Sequence, residues 1–134
     1  SSDLVALMDI QAPLMVVGTI RDHVSPWRSV YKIHLTTDTD TTFILTSGGH
    51  NAGIVSEPGH PHRDYQMKHR AKGDAWIEPD DWFKQAPQHQ GSWWTAWSAW
   101  LAKHSSTMVQ APKITASSVL CDAPGEYVMT RYED

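Results

Sequence analysis

An aspartate and a histidine each follow a run of residues that has the pattern of a buried strand. Asp22 comes shortly after the apolar run 13–18, PLMVVG, and His50 comes shortly after the run 42–45, TFIL. A carboxylate that accepts a hydrogen bond from one imidazole nitrogen fixes the tautomer and leaves the other nitrogen free to take a proton. His50 would then be a general base that Asp22 orients. The alternative is an ordinary loop aspartate and an exposed loop histidine.

The segment around His50, residues 46–53, reads TSGGHNAG and is made mostly of small residues. Such residues allow a sharp backbone turn and close approach of a substrate. The nucleophile that a base would activate is missing, because the chain has no G-x-S-x-G or G-x-C-x-G elbow. Cys121 follows the histidine and lacks flanking glycines, so we expect a core or surface residue there rather than a catalytic thiolate.

The elements that must position this pair form a strand–helix–strand unit. Residues 13–18 and 41–46 predict two strands, and Ser25 followed by Pro26 predicts a helix start with Ser25 as its cap. One apolar helical face then runs to about residue 35 and contains Trp27, Val30, Tyr31 and His34. A crossover of this kind makes the strands parallel, which brings both loops to the carboxyl edge of one sheet.

The rest of the chain is predicted to be less regular. Residues 57–78 form a polar excursion outside the core, and residues 79–134 form tryptophan-rich helices and a tail with scattered strand propensity. One of these helices begins at Pro79. A second follows Ser92 and ends near residue 103. Its stripe of Trp93, Trp97, Trp100 and Leu101 predicts core packing, with Trp94 partly outside.

Composition limits the function classes. The chain has 134 residues, a net charge of −4 and a pI near 6.0. It therefore lacks the excess of positive charge that would indicate binding to nucleic acid or to an anionic membrane. No apolar run suits a membrane span, and the first residues lack the basic start of a signal peptide. A single cysteine favours a reducing, cytoplasmic setting. Two parallel strands need neighbouring strands to form a stable sheet, and no comparable strand is evident elsewhere in the sequence. We therefore expect the whole chain, 1–134, to be the carboxyl-terminal part of a larger α/β protein. Residues 1–56 would be its strand–helix–strand core.

Two polar clusters in the excursion have both a functional and an ordinary interpretation. The ligand types for zinc are present in His60, His62, Asp64 and His69, but nothing completes a site, and we expect a solvated loop without metal. The cations Arg63, Lys68, Arg70 and Lys72 would suit the phosphates of coenzyme A or simply form a solvated face.

Four separated blocks resemble the carboxyl-terminal portion of polyhydroxyalkanoate (poly-3-hydroxybutyrate) synthases of the class I type, within the α/β-hydrolase superfamily. In the family's order they are RDHVSPWRSVY at 21–31, SGGHNAGIV at 47–55, GSWWTAWSAWL at 91–101 and DAPGEYV at 122–128. The departures are Asn51, where an aliphatic residue is common, and 56–59, SEPG, in place of N-P-P. The family's nucleophilic cysteine belongs to a lipase-like box upstream of this segment.

The resemblance implies an α/β fold that is the end of an α/β-hydrolase: its last parallel strands with a crossover helix, then a tryptophan-rich helical tail. It implies an acyltransferase that polymerises (R)-3-hydroxyacyl-CoA into polyester and releases coenzyme A, with no cofactor. In that reading His50 is the general base for the upstream cysteine. Asp22 orients His50 or assists deprotonation of the incoming hydroxyl, and His23 is a structural hydrogen-bonding residue. This segment alone is then inactive.

The partners implied are the acyl-CoA, the growing polyester, the upstream part of the same synthase, a second copy in a homodimer and the surface of cytoplasmic storage granules. Two alternatives remain open from the residues. One is a non-catalytic module that binds granules or assembles with a synthase through its tryptophans. The other is a related hydrolase, such as a depolymerase or esterase, with an upstream serine in place of cysteine.

Overall fold

The computed structural model describes residues 6–131, and the chain divides after His104 into two compact units. The first unit contains one four-stranded sheet in the order β1-β2-β3-β4 and four α-helices within its described residues. The strands are β1 (Leu14–Thr19), β2 (Thr41–Thr46), β3 (Asp64–Arg70) and β4 (Gln88–Gln90), and the helices are α1 (Trp27–Tyr31), α2 (Ile33–Thr36), α3 (Pro79–Gln85) and α4 (Trp94–Lys103).

The predicted strand–helix–strand unit is confirmed. β1 and β2 pair in parallel, in a register that runs from Leu14 beside Thr41 to Thr19 beside Thr46. The helix start differs from the prediction, because Pro26 is the N-cap and it makes no side-chain capping hydrogen bond. Ser25 instead donates its backbone N–H to the carboxylate of Asp22. The helical segment is also interrupted at Lys32, which separates α1 from α2.

The excursion predicted for 57–78 instead contains a strand. β3 pairs antiparallel with β2, and β4 pairs antiparallel with β3, so the expectation that the sheet had no further strands in this sequence was wrong. The sequence of β3 lacks the apolar alternation of a typical strand. Tyr65 is buried on one face, while the polar Gln66 and Lys68 lie on the other face. Gln66 and Lys68 hydrogen-bond to α3 and its C-terminal end. Long polar side chains that cover apolar surface in this way give a strand little hydrophobic alternation.

Apolar clusters cover both faces of the sheet. The cluster on the α1 and α3 face is aromatic and is made of Trp27, Tyr31, Phe43, Leu45, Trp82 and Ala86. The cluster on the α4 face is smaller and is made of Ile44, Tyr65 and Trp93, with Trp94 and Ala96 among the half-buried residues packed against it. Helices on both faces of a sheet that begins with a parallel pair define a mixed α/β architecture.

The tryptophans of α4 pack differently from the prediction. Trp93 is buried at the start of the helix, and Trp94, expected to lie partly outside, is half-buried against the same cluster. Trp97 is 38% exposed and Leu101 is 41% exposed, so the predicted stripe does not form the core. The residues of this helix segment that pack against the core cluster therefore lie at its start.

The second unit begins at Ser105. Its described residues contain short 3₁₀ turns at Ala116–Ser118 and Tyr127–Met129, and the strand propensity of the sequence is not realised between residues 105 and 131. Apolar side chains such as Met108 and Leu120 are almost fully exposed. Over residues 6–131, no helix has the length and apolar character needed to cross a membrane.

Candidate active site

The parallel pairing of β1 and β2 continues beyond the strands into the two loops that hold Asp22 and His50. The backbone N–H of Ile20 donates to Thr46 O at 3.0 Å, and that of Arg21 donates to Gly48 O at 3.0 Å. These hydrogen bonds keep the loops side by side at the carboxyl edge of the sheet. The predicted pairing of Asp22 with His50 is present, with His50 Nδ1 at 2.8 Å from Asp22 Oδ2.

The Asp22 carboxylate is held by four donors. Its Oδ1 accepts the backbone N–H groups of Val24 and Ser25, each at 2.8 Å. Its Oδ2 accepts the Thr19 hydroxyl at 3.3 Å, in addition to His50. The Ser25 N–H, followed by the hydrogen bonds of His50 and Val24, lowers the pKa of Asp22 from 3.8 to about 2, although burial acts in the opposite direction. The carboxylate is therefore charged at every physiological pH.

The His50 imidazole is oriented by this carboxylate. Because an ionised carboxylate only accepts hydrogen bonds, Nδ1 must carry the donated proton, which leaves Nε2 as the basic nitrogen of the neutral ring. The His50 side chain is 46% exposed, whereas that of Asp22 is 8% exposed. No group among residues 6–131 hydrogen-bonds to Nε2. The pair can thus take a proton from a group brought to the exposed side of the ring.

The loop that holds His50 depends on two glycines. Gly48 has φ +112°, a conformation that favours glycine, and a Cβ there would lie 2.9 Å from the Gly53 backbone. A Cβ on Gly53 would lie 2.5 Å from Thr19 Cγ2. The small residues noted in the sequence are therefore required because the loop folds tightly on itself and on the end of β1.

Two residues contact the pair or its loops in a way that sequence reasoning did not predict. Thr19 is the last residue of β1 and adds its hydroxyl to the Asp22 carboxylate. Arg63 precedes β3 and follows His62, a non-glycine residue with φ +59°. The guanidinium of Arg63 lies against Gly48, and its buried Nε has no hydrogen-bond partner within the described chain. A polar residue at a strand end is the only signal for Thr19. Arg63 was a candidate only as one of four cations in the polar excursion, and no sequence pattern placed it against the His50 loop.

The other candidate residues lie apart from the pair or are already engaged. His23 is exposed, and its ring makes no hydrogen bond within residues 6–131, so the structural role expected for it stays a prediction. The His60 ring hydrogen-bonds with Glu57, and across the described chain no three His, Cys, Asp or Glu side chains group to hold a metal ion. Cys121 is exposed in the second unit.

The predicted cation group does not form one surface. The Lys68 ammonium donates to Gln85, and the Arg70 guanidinium donates to the Asp74 carbonyl. The Lys72 ammonium donates to Gln11. These three cations stabilise the sheet and its loops, and they are dispersed along the strand and the turn after it.

An open cavity of about 550 Å³ lies at the same edge of the sheet, between the end of β2 and α3. Arg21, which adjoins Asp22, and Lys84 line it together with the apolar side chains of Leu45 and Phe83. Asp64 also lines the cavity, whereas Asp22 and His50 are not among its lining residues.

The fold and the site together define a mixed α/β protein with an acid–histidine pair at the carboxyl edge of its parallel strands. Comparison with known proteins then relates the chain to poly(3-hydroxyalkanoate) polymerases. It is 35% identical over 129 residues to the polymerase subunit PhaC of Rhizobium etli, covering 95% of this chain and 20% of that protein. It is 31% identical over 131 residues to the subunit PhaC of Cupriavidus necator, covering 95% and 21% respectively.

A third relative, poly(3-hydroxyalkanoate) polymerase 2 of Ectopseudomonas oleovorans, is 31% identical over 129 residues, covering 93% of this chain and 22% of the relative. The resemblance inferred from the four sequence blocks is thereby confirmed. The chain spans about a fifth of the length of the curated relatives it matches. No protein-family model matches it.

Proposed function

We propose that this chain supplies the aspartate and histidine of a Cys-His-Asp triad in a polyhydroxyalkanoate polymerase whose cysteine lies upstream of residue 1. The observation that carries the proposal is the 2.8 Å contact of His50 Nδ1 with Asp22 Oδ2, which leaves Nε2 exposed. The similarity to polymerases over nearly the whole chain supports it, as does the absence of a nucleophile elbow in the sequence. The fold would then be the carboxyl-terminal part of an α/β-hydrolase domain.

The proposed reaction divides into two acyl transfers. His50 Nε2 takes the proton of the cysteine thiol, and the thiolate attacks the thioester carbonyl of an (R)-3-hydroxyacyl-CoA. The C–S bond to coenzyme A breaks, and the imidazolium returns its proton to the departing thiolate. A hydroxyl group of the growing chain then attacks the acyl-enzyme, His50 takes the hydroxyl proton, and the cysteine leaves and is reprotonated.

The surroundings of Asp22 support an orienting role over a role as a second base. A carboxylate whose pKa lies near 2 has little tendency to accept a proton from a substrate hydroxyl. Both of its oxygens are already occupied by donors from the protein. We therefore assign proton transfer in both steps to His50 and orientation of the ring to Asp22.

The cavity beside Asp22 fits this substrate class. Arg21 and Lys84 would face the anionic parts of an acyl-CoA, and Leu45 and Phe83 would contact its acyl chain. Because the product is a water-insoluble polyester, we place the complete enzyme at the surface of cytoplasmic storage granules. No cofactor is needed, since the thioester itself activates the acyl group.

The test is coenzyme A release from 3-hydroxybutyryl-CoA by this chain joined to its upstream sequence. We expect activity from the joined protein, none from the 134-residue chain alone, and a loss of activity in Asp22→Ala and His50→Ala. Asp80→Ala is the matched control, because Asp80 is exposed and its ion pair among residues 6–131 is with the exposed Arg28. Full activity in either site variant would exclude the proposal. Hydrolysis of a polyester or ester through an upstream serine would assign the chain to a hydrolase instead.

A further inference from the structure

Three consecutive residues at the start of α4 hydrogen-bond to the segment that follows His50. The Trp93 indole N–H lies 3.2 Å from both Gly53 O and Ile54 O, and the Trp94 indole N–H donates to Ile54 O at 2.9 Å. The Ser92 hydroxyl donates to Ser56 O. Side chains from residues 92–94 therefore hold residues 53–56 by their carbonyl groups.

These donors are themselves fixed in the fold. Trp93 is buried in the cluster with Ile44 of β2 and Tyr65 of β3. Ser92 is 4% exposed, and its oxygen also accepts the backbone N–H of Trp94 at 3.0 Å. The hydrogen bonds thus connect the His50 segment to the centre of the sheet rather than to a mobile surface group.

The His50 segment has few restraints of its own. Its internal backbone hydrogen bonds are local turns, from Gly53 N to Gly49 O at 2.9 Å and from Val55 N to Asn51 O at 2.9 Å. Its amino-terminal side is held to β1 through Gly48 O. The carboxyl-terminal side is held by residues 92–94. Gly53 also packs against Thr19 and Gly48, so the donors of residues 92–94 add hydrogen bonds to the carbonyl groups of an end that packing already restrains.

We propose that Ser92, Trp93 and Trp94 form a clamp that positions His50, by fixing residues 53–56 so that the imidazole stays on the Asp22 carboxylate. They are positioning residues, because their hydrogen bonds go to residues 53–56 and would act on catalysis through His50. The effect on catalysis rests on the proposed function, whereas the effect on the Asp22–His50 contact does not. A carbonyl clamp of this kind explains why two adjacent indoles occur at this point, since each brings an N–H as well as a ring.

The first test uses the 134-residue chain and NMR, with Trp94→Phe, Trp93→Phe and Ser92→Ala. Phenylalanine keeps a ring and removes the N–H. We expect the Asp22 carboxyl to titrate at a higher pH than in the wild type, because the His50 hydrogen bond that helps lower its pKa is weakened. The Nδ1 proton signal of His50 should broaden through faster exchange with water. If the buried Trp93 variant does not fold, the half-buried Trp94 and the Ser92 variants decide the outcome.

Trp100→Phe is the matched control, since Trp100 lies on the same helix but its ring packs on His104. Its Asp22 titration and Nδ1 signal should equal those of the wild type. If Trp94→Phe and Ser92→Ala also match the wild type in both signals, the clamp is excluded, whatever the activity of the enzyme.

The second test is coenzyme A release by the chain joined to its upstream sequence. Misplacing a base lowers turnover more than substrate binding, so we expect kcat of Trp94→Phe to fall about ten-fold or more with KM nearly unchanged. A wild type that releases no coenzyme A would exclude the proposed function and leave the NMR result to decide the clamp. An active wild type with unchanged kcat in Trp94→Phe would overturn the positioning role.

Discussion

His50 Nδ1 lies 2.8 Å from Asp22 Oδ2, although 28 residues separate the two along the chain. The contact exists because β1 and β2 are parallel neighbours and their backbone pairing extends into both loops. The acid is nearly buried and the histidine is half exposed, so one ring nitrogen is fixed and the other faces outward. Four predictions follow from this arrangement and from the core beneath it.

If the proposed function holds, Asp22→Asn should lower kcat of the chain joined to its upstream sequence on the order of 10²–10⁴-fold, the usual contribution of acid–base catalysis. Asparagine retains an oxygen for the Val24 and Ser25 N–H groups, so the loop should keep its shape. An amide in place of the carboxylate no longer selects the tautomer that has a basic Nε2. Coenzyme A release measures the effect, and Asp80→Asn serves as the control. Equal kcat in the two variants would contradict the role of Asp22.

His50→Gln should raise the pKa of the Asp22 carboxyl above about 2 but leave it below 3.8, because the Ser25 N–H is the largest cause of the low value. The native pKa is the lower one, so the stabilisation from this group is complete above pH 3.8 and is lost as the pH falls through about 2. Carboxyl NMR titration of both proteins provides the measurement. A midpoint that does not change would show that the His50 hydrogen bond is absent in solution.

Gly53→Ala should reduce the free energy of unfolding by about 1–3 kcal/mol, the usual cost of overpacking, because its Cβ would meet Thr19 Cγ2 at 2.5 Å. Thr19→Ser removes that methyl group and keeps the hydroxyl donor to Asp22, so the double variant should recover much of the loss. Gly49→Ala is the matched control, since a Cβ there is no closer than 3.9 Å to its nearest neighbour. Urea denaturation of the wild type and the four variants provides the measurement, and additive losses in the double variant would contradict the contact.

His34 should make the fold sensitive to acid between pH 6.5 and about 4. Burial, followed by the nearby Arg70 charge, lowers its pKa from 6.5 to about 4, so the unfolded chain binds a proton that the folded chain excludes. Stability therefore falls as the pH drops through this window, by up to roughly 3 kcal/mol from this group.

His34→Phe supplies the comparison for that prediction. The ring packs between Tyr31 and Phe43, and its buried Nδ1 has no hydrogen-bond partner among the described residues, so phenylalanine should be tolerated at neutral pH. The difference in unfolding free energy between wild type and variant should widen in favour of the variant as the pH is lowered from 6.5 to 4. A constant difference would show that His34 titrates normally.

Sequence patterns were sufficient for the elements that carry the pair. The continuous apolar runs predicted β1 and β2, and the spacing of Trp27, Tyr31 and His34 predicted the face of the crossover that is buried. Parallel strands joined by a crossover follow from chain connectivity, and connectivity alone brings the two loops to one edge. The positions of Asp22 and His50 were therefore predictable from local information.

Only the tertiary structure decided which polar residues belong to the sheet and which tryptophans belong to the core. β3 was missed because Gln66 and Lys68 satisfy their polar groups on α3 and its C-terminal end, a partnership that no local pattern contains. The role of Trp94 was also missed, because its N–H finds a carbonyl 40 residues away. Periodicity records which side chains share a face, whereas hydrogen-bond partners distant in the chain are fixed only when the elements pack. The sequence thus determined the aspartate and the histidine, and packing determined what holds them together.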